Sequence, residues 1–446
     1  MVSTTYALEA ETELRCEVQE NGSLRVILLE GSAELYGIEL ALNREYSFSD
    51  ENVAVFTWYG CRLQTYSEHV SAYISDSTPM VAIVNTHMQL EAMRDAALAN
   101  QARGPRVLIA GPPDSGKSTT ARILAAYACR LDRTPLFLDL DVGQNAITLP
   151  GALCATPLNK FSLSVEEGFL HTTPLVYSLG HNTPRDHGEV YNKMTSILAQ
   201  KVDERLKRDL DLCSSGIIVN TSGHIDDDGY EALLHSIKEL HIDVVLVMGH
   251  DRLYSNLSSS LQNTLAIVKL PQSGGVVRRE KQQRTRARQA CIQEYFYGKS
   301  ALRGRVRNGE VSFSPARLDL QISSLVVMKA GGLQLSEHMR VMGDQGTGST
   351  ELVRVHPTEQ ELDRSILAVL FADERETAAD AAAADTGTGG GGSDEVGQSL
   401  LRSNVAGFVY VVSVDIEQDT MTVLAPNAGP LPSDYLLLGS IKWDEK

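Results

Sequence analysis

The chain has 446 residues, a formal net charge of −17 at pH 7, 43% hydrophobic and 22% charged residues. That length exceeds one ordinary core and implies about two to four domains. No run of eighteen apolar residues occurs, so no membrane span is expected, and the acidic balance speaks against bulk electrostatic binding of nucleic acid while leaving room for a local basic groove. Met1–Glu11 lacks the basic-then-apolar pattern of a signal peptide. The six cysteines (Cys16, Cys61, Cys129, Cys154, Cys213 and Cys291) form no C-x-x-C pair, so neither a zinc site nor a redox motif is expected, and a reducing intracellular compartment is the simplest reading.

In chain order, residues 1–97 read as a β-rich domain. Leu14–Val18, Asn21-Gly22 and Leu24–Leu28 have the pattern of a hairpin. Further short strands are expected at Ala33–Tyr36, Tyr46–Phe48, Val53–Trp58, Arg62–Tyr66, Ala72–Ile74 and Met80–Val84, a spacing that suggests a small sandwich or barrel. From about Thr86 to Arg103 the pattern turns helical and charged. Residues 98–300 read as an α/β nucleotide-binding domain, with buried strands at Val107–Ala110, Leu136–Leu140, Gly216–Asn220, Val244–Met248 and Leu265–Leu270 and helical segments around Tyr191–Leu206 and Tyr230–Leu240. Strands alternating with helices point to a doubly wound, mainly parallel sheet covered on both faces. Residues 301–446 return to short strands at Arg317–Leu320, Ser324–Met328, Phe408–Val414 and Thr422–Leu424. The Ala- and Gly-rich stretch at 377–398 reads as a disordered loop inside this last domain.

The chemistry concentrates in three stretches. Gly111-Pro112-Pro113-Asp114-Ser115-Gly116-Lys117-Ser118 fits G-x-x-x-x-G-K-[ST] and lies between a buried strand and a helix-forming run that starts at Thr119. In that context the glycines let backbone N–H groups close around phosphate, and the helix N-terminus adds partial positive charge. Lys117 reaches the terminal phosphates and the Ser118 hydroxyl joins a Mg²⁺ shell. Second, Asp139 and Asp141 project to one side at the end of the next strand, at the sheet edge that carries the phosphate loop; one suits a metal, the other a proton acceptor. Third, residues 274–288 hold six basic residues against one acid after a Gly-Gly pair. On a helix Lys281, Arg284 and Arg288 share a face, which suits a lid closing on a triphosphate as well as a solvated basic surface. The eleven histidines form no H-x-x-x-H pair. Asp226-Asp227-Asp228 lacks the rest of a calcium loop. Val247–Asp251 lacks the Asn/Thr-Lys-x-Asp expected of a GTPase. Ser222-Gly223-His224 follows a strand end, where an active-site contact and a plain turn fit equally.

With these residues in hand the chain resembles the pre-mRNA cleavage-complex polynucleotide 5′-hydroxyl-kinase family. The matching pieces run nearly from end to end: Glu11–Arg15, Val55–Trp58, Asn85–His87, Gly104–Val107, the phosphate loop, Asp141–Gln144, Glu166–Phe169, Pro174–Tyr177, Asn220-Thr221, Arg252–Tyr254, Ser273–Val277 and Tyr295–Gly298. The resemblance implies a β-sandwich, a P-loop kinase domain and a small C-terminal α/β domain. It implies ATP and Mg²⁺ as cofactors and a 5′-hydroxyl RNA end as acceptor. By motif position Gly111, Asp114, Ser115, Gly116, Lys117, Ser118 and Thr119 bind nucleotide. Ser118 and Asp139 face the metal, and Asp141 activates the hydroxyl. Arg279, Arg284 and Arg288 belong to the lid, Glu13 helps to hold the adenine end, and Gln144 and His224 meet RNA. It also implies a nuclear setting with pre-mRNA cleavage-factor subunits and a link to tRNA-splicing endonuclease; the outer domains, which flank the kinase core and hold no catalytic constellation of their own, are expected to carry partner contacts.

The chain departs from the family at two positions. His224 stands where catalytically competent members carry a tryptophan that stacks on the terminal base, and Asp139 stands where some members have Glu. Two functional readings therefore stand side by side: an RNA 5′-hydroxyl kinase, or an ATP-bound scaffold subunit that does no chemistry.

Overall fold

A computed structural model of the chain describes residues 2–49, 51–170, 172–261, 264–298, 314–330, 352–371, 397 and 399–445. Among the described residues, three seven-stranded sheets carry the fold. The first contains β1 (Val2–Leu8), β2 (Thr12–Gly31), β3 (Glu34–Leu35), β4 (Ile38–Glu39), β5 (Glu45–Ser49), β6 (Val53–Thr57) and β7 (Cys61–Ser75), in the order β1-β7-β2-β6-β3-β4 with β5 also on β2. Leu14, Leu24, Val26, Leu28, Phe48, Val55 and Leu63 fill its core.

The hairpin expected at Asn21-Gly22 does not form. β2 runs through that pair unbroken, and β7 pairs with it from Glu13↔Ser75 to Gly31↔Cys61. The register shifts between Val18 and Ser23, where Asn21 and, across from it, His69 take left-handed φ values of 59° and 55°. Both flanks of the Asn-Gly pair find their partners in β5, β6 and β7, so the pair makes a bulge in a long ribbon. Arg62–Tyr66 and Ala72–Ile74 are one strand for the same reason. Met80–Val84, expected as a strand, opens helix α1 (Met80–Ala99). Met80, Ile83, His87, Leu90, Arg94 and Ala97 bury one helical face, a period that a five-residue apolar window cannot reveal.

The central sheet follows with β8 (Arg106–Ala110), α2 (Lys117–Arg130), β9 (Leu136–Asp139), β10 (Ala152–Pro157), the small hairpin β11 (Leu163–Ser164) and β12 (Gly168–Phe169), and β13 (Leu175–Ser178). Then come α3 (Gly188–Leu206), α4 (Leu210–Ser215), β14 (Ile217–Asn220), α5 (Asp228–Glu239), β15 (Val244–Met248), α6 (Asp251–Leu261), β16 (Ala266–Leu270) and α7 (Lys281–Tyr297). The order is β13-β10-β9-β14-β8-β15-β16. The five strands from β9 to β16 are parallel, while β10 runs antiparallel to both β9 and β13. Alternation along β8 divides the core in two. Val107 and Ile109 pack with α1 and α2, and Leu108 and Ala110 with the helices of the other face. This is the doubly wound α/β arrangement expected, extended by two antiparallel strands.

The third sheet holds β17 (Ala316–Gln321), β18 (Val326–Ala330), β19 (Leu352–Arg354), β20 (Ser365–Leu370), β21 (Val405–Asp415), β22 (Thr420–Ala425) and β23 (Tyr435–Lys442), in the order β17-β22-β21-β20-β23-β18-β19. A helical turn, Glu359–Leu362, accompanies it. Ser324, expected at a strand start, closes a short 3-10 turn, and the strand begins at Val326. The low-complexity stretch at 377–398 lies outside the described residues, Gly397 apart.

Helix α7 links the second and third sheets. Phe296 stacks on Trp443 with ring centroids 5.7 Å apart, and the Phe408 N–H donates to the Tyr295 hydroxyl at 3.0 Å. A second contact lies at Gly180 and Gly439, where a Cβ on Gly439 would come within 1.8 Å of the Gly180 carbonyl oxygen. The first sheet is held to the second by ion pairs from Arg130 to Glu34 and Glu39 and by the Arg122 guanidinium, 4.0 Å from the ring centroid of Tyr36.

Candidate nucleotide site

β8 is buried along its whole length and delivers the chain to Gly111 at the C-terminal edge of the sheet. A Cβ at Gly111 would meet the Met248 carbonyl oxygen at 2.4 Å and Ser115 Oγ at 2.9 Å, so the loop closes only with glycine there. Gly116, at φ 91°, turns the loop into α2. Ser115 Oγ donates to the Pro112 carbonyl at 2.9 Å and Lys117 Nζ donates to the same carbonyl at 2.8 Å. Lys117 is 6% exposed. Burial pulls its ammonium down to about 8, against the raising influence of Asp141 and Asp114. A buried ammonium bonded to a neutral carbonyl, at the N-terminus of a 14-residue helix, is an anion-binding arrangement. Polyphosphate fits these residues.

Two carboxylates stand beside the loop in different surroundings. Asp139 is fully buried. Its Oδ1 accepts from the Asp141 N–H at 3.0 Å and from Asn220 Nδ2 at 3.0 Å, and its Oδ2 accepts from the Ala146 N–H at 2.8 Å. Burial, then the nearby charge of Asp141, raises it to about 7. Asp141 is partly exposed. Its Oδ1 accepts from the Gly143 and Gln144 N–H groups at 2.9 and 3.2 Å, and burial moves its pKa upward against the N–H of Gly143 and the charge of Lys117. Gln144 Nε2 is buried with no hydrogen-bond partner. Ser118 is exposed at the loop end and its Oγ donates to Asn220 Oδ1 at 3.3 Å. Asn220 therefore joins Ser118 to Asp139. Asn220 is not among the residues expected at the site from the sequence; its signal there is a polar side chain at the C-terminal end of a buried strand. No group of three or more His, Cys, Asp or Glu able to hold a metal occurs among the described residues. A divalent ion at Ser118 would then take most of its ligands from phosphate and water, which suits Mg²⁺.

The loop from Gln272 folds back over the phosphate loop. Arg279 Nε lies 3.0 Å from Asp114 Oδ1, and Arg284 pairs with Asp114 Oδ2. Arg288 sits one turn further on and donates to Thr285 Oγ1 at 3.0 Å. Arg286 pairs with Glu20 of the first sheet. Glu13 accepts from Arg15 Nε at 2.6 Å and from Thr78 Oγ1 at 3.0 Å. Arg15 underlies the Gly-Gly pair: a Cβ on Gly275 would meet Arg15 Cδ at 2.7 Å. Glu13 thus reaches the loop edge through Arg15. On the opposite side, a Cβ on Gly223 would meet the Pro113 backbone nitrogen at 2.5 Å, so the Ser222–His224 turn presses on the phosphate loop. His224 lines a small cleft with Pro184, Tyr191, Thr221 and Leu233.

A parallel sheet edge that carries a phosphate loop, with one arginine of a later helix and one from the loop before it folded back onto that loop, defines a P-loop nucleotide-binding protein. Family models agree in all three parts. The N-terminal beta-sandwich domain of polyadenylation factor matches residues 7–97, the mRNA cleavage and polyadenylation factor CLP1 P-loop matches 111–298, and the pre-mRNA cleavage complex II protein Clp1 matches 313–445. The chain belongs to the Clp1 family. It is 38% identical to the polyribonucleotide 5′-hydroxyl-kinase Clp1 of Homo sapiens over 443 residues, 99% of this chain and 96% of that one. It is 36% identical to a CLP1 homolog of Anopheles gambiae over 99% of this chain and 97% of that one. The fold is shared with Clp1p in a Clp1p–Pcf11p complex, at a TM-score of 0.80 and 24% identity over 100% of this chain and 99% of that one. It is also shared with Clp1p in a structure describing the extended Pcf11p interface and ATP loss in a glycine-to-arginine mutant of that protein, at a TM-score of 0.81 and 24% identity over 99% of each chain.

Proposed function

We propose that this protein transfers the γ-phosphoryl group of ATP to the 5′-hydroxyl end of RNA and works as a subunit of the pre-mRNA cleavage and polyadenylation machinery. The observation that carries the reading is that Asp141 lies near enough to the Lys117 ammonium of the phosphate loop for each to feel the other's charge. Relatives at 38% identity over 99% of the chain bear the name polyribonucleotide 5′-hydroxyl-kinase.

ATP is the phosphoryl donor, and a Mg²⁺ ion, when bound, would supply charge neutralisation on its phosphates. The backbone N–H groups of Gly111–Thr119 and the Lys117 ammonium would hold the phosphates, and Ser118, oriented by Asn220, would hold the ion. Asp139, with both oxygens occupied by N–H donors, would act on that ion indirectly, by orienting Asn220. Asp141 takes the proton of the attacking hydroxyl, and its partial burial makes it a better base than a fully exposed carboxylate. Arg279 and Arg284 steady the charge that moves during transfer, with Arg288 behind them. Gln144 and His224 orient the RNA end. Glu13 supports the adenine side through Arg15. The setting is nuclear, and the outer sheets meet cleavage-factor subunits, a Pcf11-type protein among them, and the tRNA-splicing endonuclease.

Incubating the purified protein with γ-labelled ATP and a 5′-hydroxyl RNA oligonucleotide tests the reaction: label appears at the RNA 5′ end. The imidazole at His224 favours a second reading, an ATP-holding scaffold. Tight ATP binding with no labelled RNA would establish that reading in place of the first.

A further inference from the structure

Asp114 places a carboxylate inside the phosphate loop. A carboxylate at this position repels a polyphosphate unless something neutralises it. It also holds φ 57°, a left-handed conformation that Asp, Asn and Gly tolerate and most residues do not. Its side chain is only 5% exposed. The neutralising groups come from 165 and 170 residues further along the chain: Arg279 Nε on Oδ1 and Arg284 on Oδ2. The Arg279 backbone N–H also donates to Oδ2 at 3.0 Å, and Gln272 Nε2 donates to the Asp114 carbonyl oxygen at 3.3 Å. Between the two arginines, Glu280 and Gln283 form a reciprocal capping box that starts α7. Burial alone would raise the Asp114 pKa, yet the donors from Arg279 and Arg284 outweigh it and hold the carboxyl below its ordinary value.

We propose that Asp114 is a positioning residue for phosphoryl transfer, a staple that fixes the entry of α7 on the phosphate loop and aims the Arg279 and Arg284 guanidiniums at the transferred group. The proposal rests on the kinase reading. Each arginine gives Asp114 one side-chain N–H, so four of its five N–H donors stay available for phosphate oxygens. The two arginines and one carboxylate leave a net charge of +1 at the loop. Arginine aim is what Asp114 contributes, at some cost in electrostatic attraction for the nucleotide.

This combination sets the test. Asp114→Asn and Asp114→Gly both accept the left-handed backbone, so each variant keeps the loop conformation. In the full chain, ATP affinity measured by calorimetry is expected to stay equal or tighten, because a negative charge has gone. Transfer to a 5′-hydroxyl RNA oligonucleotide should lose about a hundredfold in kcat, the scale of a misplaced catalytic group. Amide exchange over residues 276–284 of the nucleotide-free protein should speed up in both variants. A merely structural residue would not weaken turnover while strengthening nucleotide binding. Wild-type kcat in both variants overturns the proposal. Should the wild type transfer no phosphate, the kinase reading has failed, and exchange alone decides on the staple: unchanged protection at 276–284 overturns it, and loosened protection with ATP binding intact upholds it.

Discussion

Asn220 Nδ2 donates to Asp139 Oδ1 at 3.0 Å, and through the same amide Ser118 is tied to the floor of the nucleotide site. Asn220 and Asp139 are register partners on adjacent parallel strands, so sheet pairing alone sets their approach.

Asn220→Ala should therefore destabilise the protein by about 1–3 kcal/mol in urea unfolding, because it strips a donor from a buried carboxylate. It should also weaken Mg²⁺-ATP binding more than metal-free ATP binding, since Ser118 loses its anchor. Equal losses for the two forms of the nucleotide would show that Asn220 serves packing alone.

Lys117→Ala should abolish thermal stabilisation by ATP. A ligand at a hundredfold excess over its Kd adds about 2.7 kcal/mol to the native state, and the variant has no ammonium to offer phosphate. The ligand-free variant should be no less stable than wild type, because the lysine removed is a desolvated cation. Calorimetry giving equal ATP affinity for both proteins would remove Lys117 from the site.

Asp141→Asn keeps the shape of the side chain and loses the proton acceptor. ATP affinity should remain close to wild type while transfer to RNA disappears. A full rate in the variant would pass the role of base to another group.

His224→Trp bears on the acceptor. Base–aromatic stacking is worth about 1–3 kcal/mol, and an indole offers a larger face than an imidazole. KM for RNA should fall, about tenfold for each 1.4 kcal/mol gained, with kcat at saturating RNA and ATP affinity nearly unchanged. If wild type and variant are both inert with ATP firmly bound, the scaffold reading holds and the inactivity has another source.

His181 makes acid stability a probe of the contact between the second and third sheets. Its ring stacks on His187 with centroids 3.8 Å apart, and Nδ1 lies 2.9 Å from Ser440 Oγ on β23. Burial, then the neighbouring His187, lowers it to about 4 from 6.5, with Asp186 opposing and Lys329 adding. A depressed folded-state value means that the unfolded chain takes the proton first. Stability is then complete above pH 6.5 and lost as the pH falls toward 4. The loss should be on the order of 2 kcal/mol after allowance for partial exposure. His181→Gln should flatten that part of the denaturation profile; an unchanged profile would assign the acid sensitivity elsewhere.

The sequence by itself determined the parts governed by short-range chemistry. The phosphate loop between strand and helix, the carboxylates at the next strand end and the arginine cluster were all legible, because glycine, charge and hydrophobic periodicity act locally. The parallel strands were legible for the same reason, since buried runs such as Ile217–Val219 leave few alternatives. Tertiary structure decided the rest. Asn21-Gly22 favours a turn locally, yet pairing of β2 along the length of β7 turned it into a bulge, since a strand partner distant in sequence contributes more bonds than a local turn. The Met80–Val84 run became helix because Met80 and Ile83, with His87, Leu90 and Arg94 beyond it, recur at helical spacing and bury one face against α2 and the central sheet. Asn220 entered the site, and Asp114 met Arg279 and Arg284, only once parallel register and the fold-back of α7 closed the distances; no local pattern encodes an approach across 81 or 165 residues.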